Sequence, residues 1–204
     1  MRKSAAWFII LIFAAPAFPQ AVKLGLNFGV NYNMASYERS SLIWDVEKSF
    51  SPRLGMVAAY GSGGSFRLIS AVIYDGKAGR FSTLGAADGL AIVTERYHYL
   101  ALTQKLQYDS RWGFFINLGP AMGIKLKAAR ERKELYSIDL ASYKSEIENA
   151  KSVRWGLVAG GGYEIAVGGI QLAPEVSYDF GLTQANMRNH LKLSSLVLGL
   201  SMFF

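Results

Sequence analysis

From Leu196 to Phe204 the chain changes side-chain character at every residue. Leu196, Leu198, Leu200, Met202 and Phe204 fall on one face, and Val197, Gly199, Ser201 and Phe203 on the other. A period of two belongs to a β-strand, whose successive side chains point to opposite sides. Such a segment needs an apolar environment for one face and neighbours for its backbone. The pattern recurs near the start, where Leu24, Leu26, Phe28, Val30 and Tyr32 oppose Gly25, Asn27, Gly29 and Asn31.

Six further segments read the same way. Over Pro52 to Tyr60, Leu54, Met56, Ala58 and Tyr60 oppose Arg53, Gly55, Val57 and Ala59. From Phe66 to Lys77, Phe66, Leu68, Val72 and Tyr74 oppose Arg67, Ala71 and Asp75, while Ile69 and Ile73 blur the pattern. From Thr94 to Tyr108, Leu100, Leu102, Leu106 and Tyr108 oppose Lys105 and Gln107. The fifth strand sets Trp112, Phe114, Ile116, Leu118, Met122, Ile124 and Leu126 against Gly113, Asn117, Gly119, Ala121, Gly123, Lys125 and Lys127. The sixth covers Val153 to Ile165, with Glu164 on its polar side, and the seventh opposes Ile170, Leu172, Val176, Tyr178 and Phe180 to Gln171, Ala173, Glu175, Ser177 and Asp179.

Alternation alone suits a soluble sandwich as well as a membrane barrel, in which the apolar face turns outward to lipid. The connections choose between them. Those after the second, fourth and sixth strands are short, and those after the odd-numbered strands are long. This is the short periplasmic turn and long external loop of an outer-membrane barrel. The expectation is an all-β, eight-stranded, antiparallel, up-and-down transmembrane β-barrel. Its longest connection, Ala128 to Ser152, mixes charges of both signs and allows a short helix or a hairpin extension of its flanking strands.

The start of the chain agrees with export. Met1-Arg2-Lys3 is basic, Trp7 to Ala15 is apolar, and Ala15-Pro16-Ala17 offers a small-residue cleavage site. The apolar run falls short of the about 20 residues of a membrane-spanning helix. Residues 1–21 are therefore expected to be a signal peptide and 22–204 a barrel domain. The formal charge of +7 falls to +5 once Arg2 and Lys3 leave. Basic residues are interspersed with acids behind an export signal, so nucleic acid is discounted as a partner. Outer-membrane lipid and lipopolysaccharide are the expected counter-charges. There are no cysteines, which removes disulfides and thiolate metal sites. Phe204 ends an amphipathic strand of the type that outer-membrane assembly machinery recognises, and is read as an assembly signal.

An eight-stranded barrel is just wide enough to be filled by side chains. Arg53, Arg67, Lys105, Asn117, Glu164, Glu175 and Asp179 are the expected polar residues of the lumen, paired because unpaired buried charge is costly. Glu175 and Asp179 lie about 13 Å apart along one strand at about 3.3 Å per residue, too far for joint acid–base chemistry. His98 and His190 stand in no Ser-His-acid or metal-ligand spacing. Gly160-Gly161-Gly162 lacks the strand–loop–helix setting of a phosphate cradle and reads as relief of crowding. No catalytic residue, cofactor or metal is expected.

Five stretches resemble the PorT-like small outer-membrane β-barrel family of Bacteroidetes. They are Leu24-Gly25-Leu26-Asn27-Phe28-Gly29, Ile73-Tyr74-Asp75-Gly76-Lys77-Ala78-Gly79, Tyr99 to Leu106, Asn117-Leu118-Gly119-Pro120-Ala121-Met122-Gly123 and Tyr178 to Thr183. In the third, Ala101 and Thr103 replace the glutamate and proline of the family pattern. The resemblance implies an outer-membrane barrel of this size, with no single activity, and its namesake branch assists secretion and gliding machinery. The expected function is non-enzymatic: surface interaction through external loops that bind protein partners, or a part in an envelope complex. The alternatives are a narrow gated channel for small solutes and a lipid-modifying enzyme using His98.

Overall fold

The alternating segments join edge to edge into one closed sheet. The structure, a computed structural model, describes residues 21–37, 43–61, 64–84, 90–135, 140–147, 149–186 and 191–204. The expected signal peptide, up to residue 20, and His190 lie outside the described residues. The strands are β1 (Ala21–Tyr37), β2 (Ile43–Glu47), β3 (Ser49–Gly61), β4 (Phe66–Leu84), β5 (Leu90–Asp109), β6 (Phe114–Leu135), β7 (Leu140–Glu146), β8 (Val153–Tyr163), β9 (Ile165–Val167), β10 (Ile170–Gly181), β11 (Gln184–Asn186) and β12 (Leu191–Phe203). Eight of them form an antiparallel ring in the order β12, β1, β3, β4, β5, β6, β8, β10, closed by pairing of β10 with β12. The four short strands extend this ring: β2 on β4, β7 on β6, β9 on β10 and β11 on β12.

The register sets the barrel's shape. Following paired residues from Val22 through Tyr60, Leu68, Leu106, Leu118, Ala159, Tyr178 and Leu196 leads back to β1 at Tyr32, ten residues further along. With strands about 4.8 Å apart and about 3.3 Å of rise per residue, that stagger tilts the strands by about 40°. The outward side chains between the two ends of this path form an apolar band about 25 Å tall, the thickness expected of a membrane-spanning barrel. Aromatic residues rim it. Phe66 packs at a tilt against Tyr108 and Phe114 edge-on against Tyr163 at the end with short turns, while Tyr32–Phe50, Tyr74–His98 and Tyr178–Phe180 mark the other. The β9–β10 turn is tight because Gly168 and Gly169 both take positive φ, 55° and 87°, which closes a two-residue hairpin.

The structure decides one open alternative and changes two details of the alternation. The stretch from Ala128 is largely sheet: β6 continues to Leu135 and returns as β7, the hairpin alternative, with Glu131 facing Lys144 across the ladder. Ile69 and Ile73, which blurred the third segment, point inward and pack with Val57, Ala71, Ala101 and Phe115. One wall of the lumen is thus aliphatic rather than small and polar. A bulge opposite His98 and Tyr99 pairs Tyr99 with Lys125 and His98 with Lys127. The extra residue, Leu126, reverses the alternation, so Lys127 is exposed and does not share the lumen face of Lys125.

Candidate functional site: the barrel lumen

Inward-facing positions on the eight strands of the ring fill the lumen with three layers of polar side chains. At the short-turn end, Arg67 on β4 reaches Asp109 on β5 at 2.5 Å and also pairs with Glu164, which sits at the break between β8 and β9. Gln107 and Gln171 bond the same carboxylates. In the middle, Lys105 on β5 donates to both oxygens of Glu175 on β10 at 2.8 Å. In the upper layer, Asp179 on β10 accepts from Lys77 at 2.9 Å and from Arg154 on β8 at 2.8 Å. Asp75 completes that layer, 3.4 Å from Lys77 and bonded by the Asn31 amide at 2.7 Å. Lys77 also donates to the Ser195 hydroxyl, and Arg154 to the Leu193 carbonyl.

The structure buries Arg53, Lys105, Asn117 and Asp179, leaves Arg67, Glu164 and Glu175 slightly exposed, and brings the seven together only in part. Arg67 joins Glu164, and Lys105 joins Glu175. Asp179 finds its cations in Lys77 and Arg154, residues outside the expected set. Glu175 and Asp179 belong to different layers, the first engaged by Lys105 and the second by Lys77 and Arg154. Asn117 is buried with neither side-chain amide atom bonded to protein. Arg53 is buried and forms no ion pair or hydrogen bond among the described residues. Lys77 and Arg154 carried a readable signal: Lys77 lies an even number of residues from Asp75, and Arg154 from Gly156 and Val158, so both share the inward parity.

The glycines of β8 make room for this packing. A Cβ on Gly160 would collide with Ser177, and one on Gly162 with the Phe115 ring. Above the lumen, Glu95 on β5 accepts from Tyr97 at 2.6 Å and from Arg130 on β6 at 3.0 Å. Tyr97, Tyr99, Ile147, Ala150, Ala185, Leu191 and Leu193 form an apolar layer there. Ile147, Ala150 and Lys151 are tied across it: the Ile147 amide donates to Ala128, the Lys151 amide to Ala185, and the Lys125 ammonium to Ala150.

Beyond the upper aromatic rim, β4, β5 and β6 run on with β2 and β7 as a wall. From Tyr74 to Leu84 the rise is about 25 Å at the barrel's tilt. Its outer face carries Arg80 with Glu47 at 3.1 Å and Arg96 with Glu131 at 3.0 Å, beside Lys48, Lys127 and Lys133. His98 lies at the foot of this face, its Nδ1 2.5 Å from the Tyr74 hydroxyl. Among the described residues it bonds to no serine or carboxylate, and no cluster of three or more metal-ligating side chains occurs. Phe204 lies at the short-turn rim with its ring exposed and its amide bonded to the Leu24 carbonyl at 3.0 Å.

A family model for an outer membrane protein beta-barrel domain matches residues 14–186. No curated protein matches the chain. Among solved structures it is similar to Neisserial surface protein A, at 12% identity and a TM-score of 0.44, over 90% of this chain and 99% of that one. It is also similar to OprG from Pseudomonas aeruginosa, at 13% identity and a TM-score of 0.44, over 90% and 94%. A third similar structure is Ail, the attachment invasion locus protein of Yersinia pestis, at 12% identity and a TM-score of 0.41, over 90% and 99%.

Proposed function

Because this chain belongs to the outer membrane protein beta-barrel domain family and resides in the outer membrane, we propose that its barrel is a closed anchor for an external interaction surface. The observation that carries this reading is the division of labour along the strands. Within the membrane band the lumen is filled by ion pairs and aliphatic side chains. Beyond it, β4 to β7 project a paired sheet whose lower outer face is rich in cations. Lipopolysaccharide phosphates suit that position, since basic side chains at a membrane surface draw anionic headgroups. The resemblance to the PorT-like family adds the reading that the wall docks protein partners in an envelope complex.

Catalysis has little support in the geometry. His98 is held by Tyr74 and flanked by the cations Arg96 and Lys127, and among the described residues no nucleophile or carboxylate bonds to it to complete a proton relay. The alternative of a narrow channel rests on the lumen charges, and one preparation tests it together with the main reading. Purified protein is expected to retain lipopolysaccharide at low salt. Replacing Arg96, Lys127 and Lys133 together by glutamate is expected to lower the retained amount by about tenfold or more, with the heat-modifiable gel band unchanged. In planar bilayers the same protein is expected to give no conductance steps above leak. Unaltered retention in the triple variant argues against the surface, and discrete steps favour the channel.

Phe204 is proposed as part of an assembly signal, because its ring stands free at the rim that enters the periplasm. Deleting Phe204 is expected to lower the outer-membrane level several-fold while the total synthesised is unchanged. An undiminished outer-membrane level would remove that role.

A further inference from the structure

The lipid-facing surface departs from apolar chemistry at one place. Between the two aromatic rims, the outward positions of the eight ring strands carry apolar or aromatic residues everywhere except at Ser70 on β4 and Gln104 on β5. These two are direct partners across the ladder. Gln104 points outward because its neighbours Thr103 and Lys105 line the lumen. It stands two residues above Leu106 on the path around the ring, at about 14 Å in a band about 25 Å tall. Hydrocarbon at that depth offers neither donors nor acceptors. The Ser70 hydroxyl is buried without a hydrogen-bond partner, and among the described residues the half-buried Gln104 carboxamide has none either. An amide left in that state is costly. The lumen's polar groups lie behind the sheet, so the missing partner has to come from outside the chain.

A carboxamide is complementary to itself, since its NH₂ donates and its oxygen accepts. On a two-fold axis along the membrane normal a residue meets its own copy, so two Gln104 side chains there exchange two N–H···O hydrogen bonds. Ser70 and Ala58, next to Gln104 in the same row, are small and let a second barrel come close. Leu106 and Leu118, 56% and 53% exposed, surround the amides with apolar contact. Apolar packing alone gives no preference for protein over lipid tails, so the hydrogen bonds select this face. The strand tilt carries Arg96, eight residues up β5, about 17 Å around the barrel, and the cationic wall does not oppose itself across the contact. We propose that the protein forms a symmetric dimer in the membrane through its β4–β5 face, with Gln104 bonded to the second copy's Gln104. The contact is independent of whatever the external wall binds.

The chain has no cysteine, so one introduced thiol reports a single position. Leu106→Cys lies beside Gln104, and Leu198→Cys lies on the opposite side of the ring at a matching 57% exposure. Each full chain is spin-labelled while unfolded, refolded into lipid vesicles, and measured for dipolar coupling between copies. The label at Leu106→Cys is expected to report a separation of about 20 Å or less, and the label at Leu198→Cys about 40 Å, two barrel diameters further apart. Adding Gln104→Leu to Leu106→Cys is expected to lower by about tenfold the lipid-to-protein ratio at which half the coupling is lost. Leucine suits the lipid face, so the heat-modifiable band is kept and lost contact is told apart from lost folding. A shorter separation at Leu198→Cys than at Leu106→Cys, or coupling undiminished by Gln104→Leu, overturns the contact. Absence of coupling at every ratio also overturns it and leaves the face to a different protein.

Discussion

Leu118→Arg is expected to destabilise the folded barrel by about 2–4 kcal/mol, the cost of a cation on the lipid face at mid-membrane. Leu118 is 53% exposed, so in a water-soluble sheet the same change is close to neutral, within about 0.5 kcal/mol. The large cost arises only because the exposure is to hydrocarbon. Leu118 stands midway on the residue path from Val22 to Tyr32, which places it near the centre of the apolar band. An arginine there has the longest reach to either interface. Arginine at Ile124, close to the upper aromatic rim and 40% exposed, is expected to cost only about 0–1 kcal/mol. Denaturant unfolding in lipid vesicles measures both. Equal, small effects at the two positions would mean that this surface does not face lipid.

Asp179→Ala is expected to cost about 3–5 kcal/mol, the penalty for breaking a buried ion pair from one side. Asp179 is 2% exposed and is the shared acceptor for Lys77 and Arg154. Its removal leaves two buried cations with only Asp75 to face. The loss therefore exceeds that of the contacts themselves, and pairing it with Lys77→Met is expected to recover part of it. The midpoint of heat modification should fall furthest in Asp179→Ala and less in the double variant. Removing Glu131, whose partner Arg96 lies on the exposed wall, should shift it little. A double variant weaker than Asp179→Ala alone would show that Lys77 is held by contacts other than the carboxylate.

The barrel was largely legible because lipid-facing and lumen-facing residues alternate one by one, and both termini of the pattern, Leu24 to Tyr32 and Leu196 to Phe204, are regular. The failures occur where that rule is interrupted. Ile69 and Ile73 are apolar on the inward face because one wall of the lumen packs aliphatic side chains rather than ions. Lys127 is outside because the bulge at Leu126 adds one residue to β6 and reverses its alternation. At the outer side β4, β5 and β6 run beyond the apolar alternation because the wall stands in water, where its exposed face carries charge. Arg96, Glu131 and Lys133 look like loop residues until β5, β6 and β7 are seen paired.

Which residues point inward follows from local chemistry, since parity along a strand needs no knowledge of its neighbours. Which of them meet does not. Arg67 and Glu164 are 97 residues apart, and Lys105 and Glu175 are 70 apart. Their pairing depends on the ten-residue stagger with which β10 and β12 close the ring. The same stagger brings Lys77 and Arg154 to Asp179 and leaves Arg53 beside a pair that is already satisfied. Inward direction is a property of each strand's backbone, whereas charge compensation is a property of the closed cylinder.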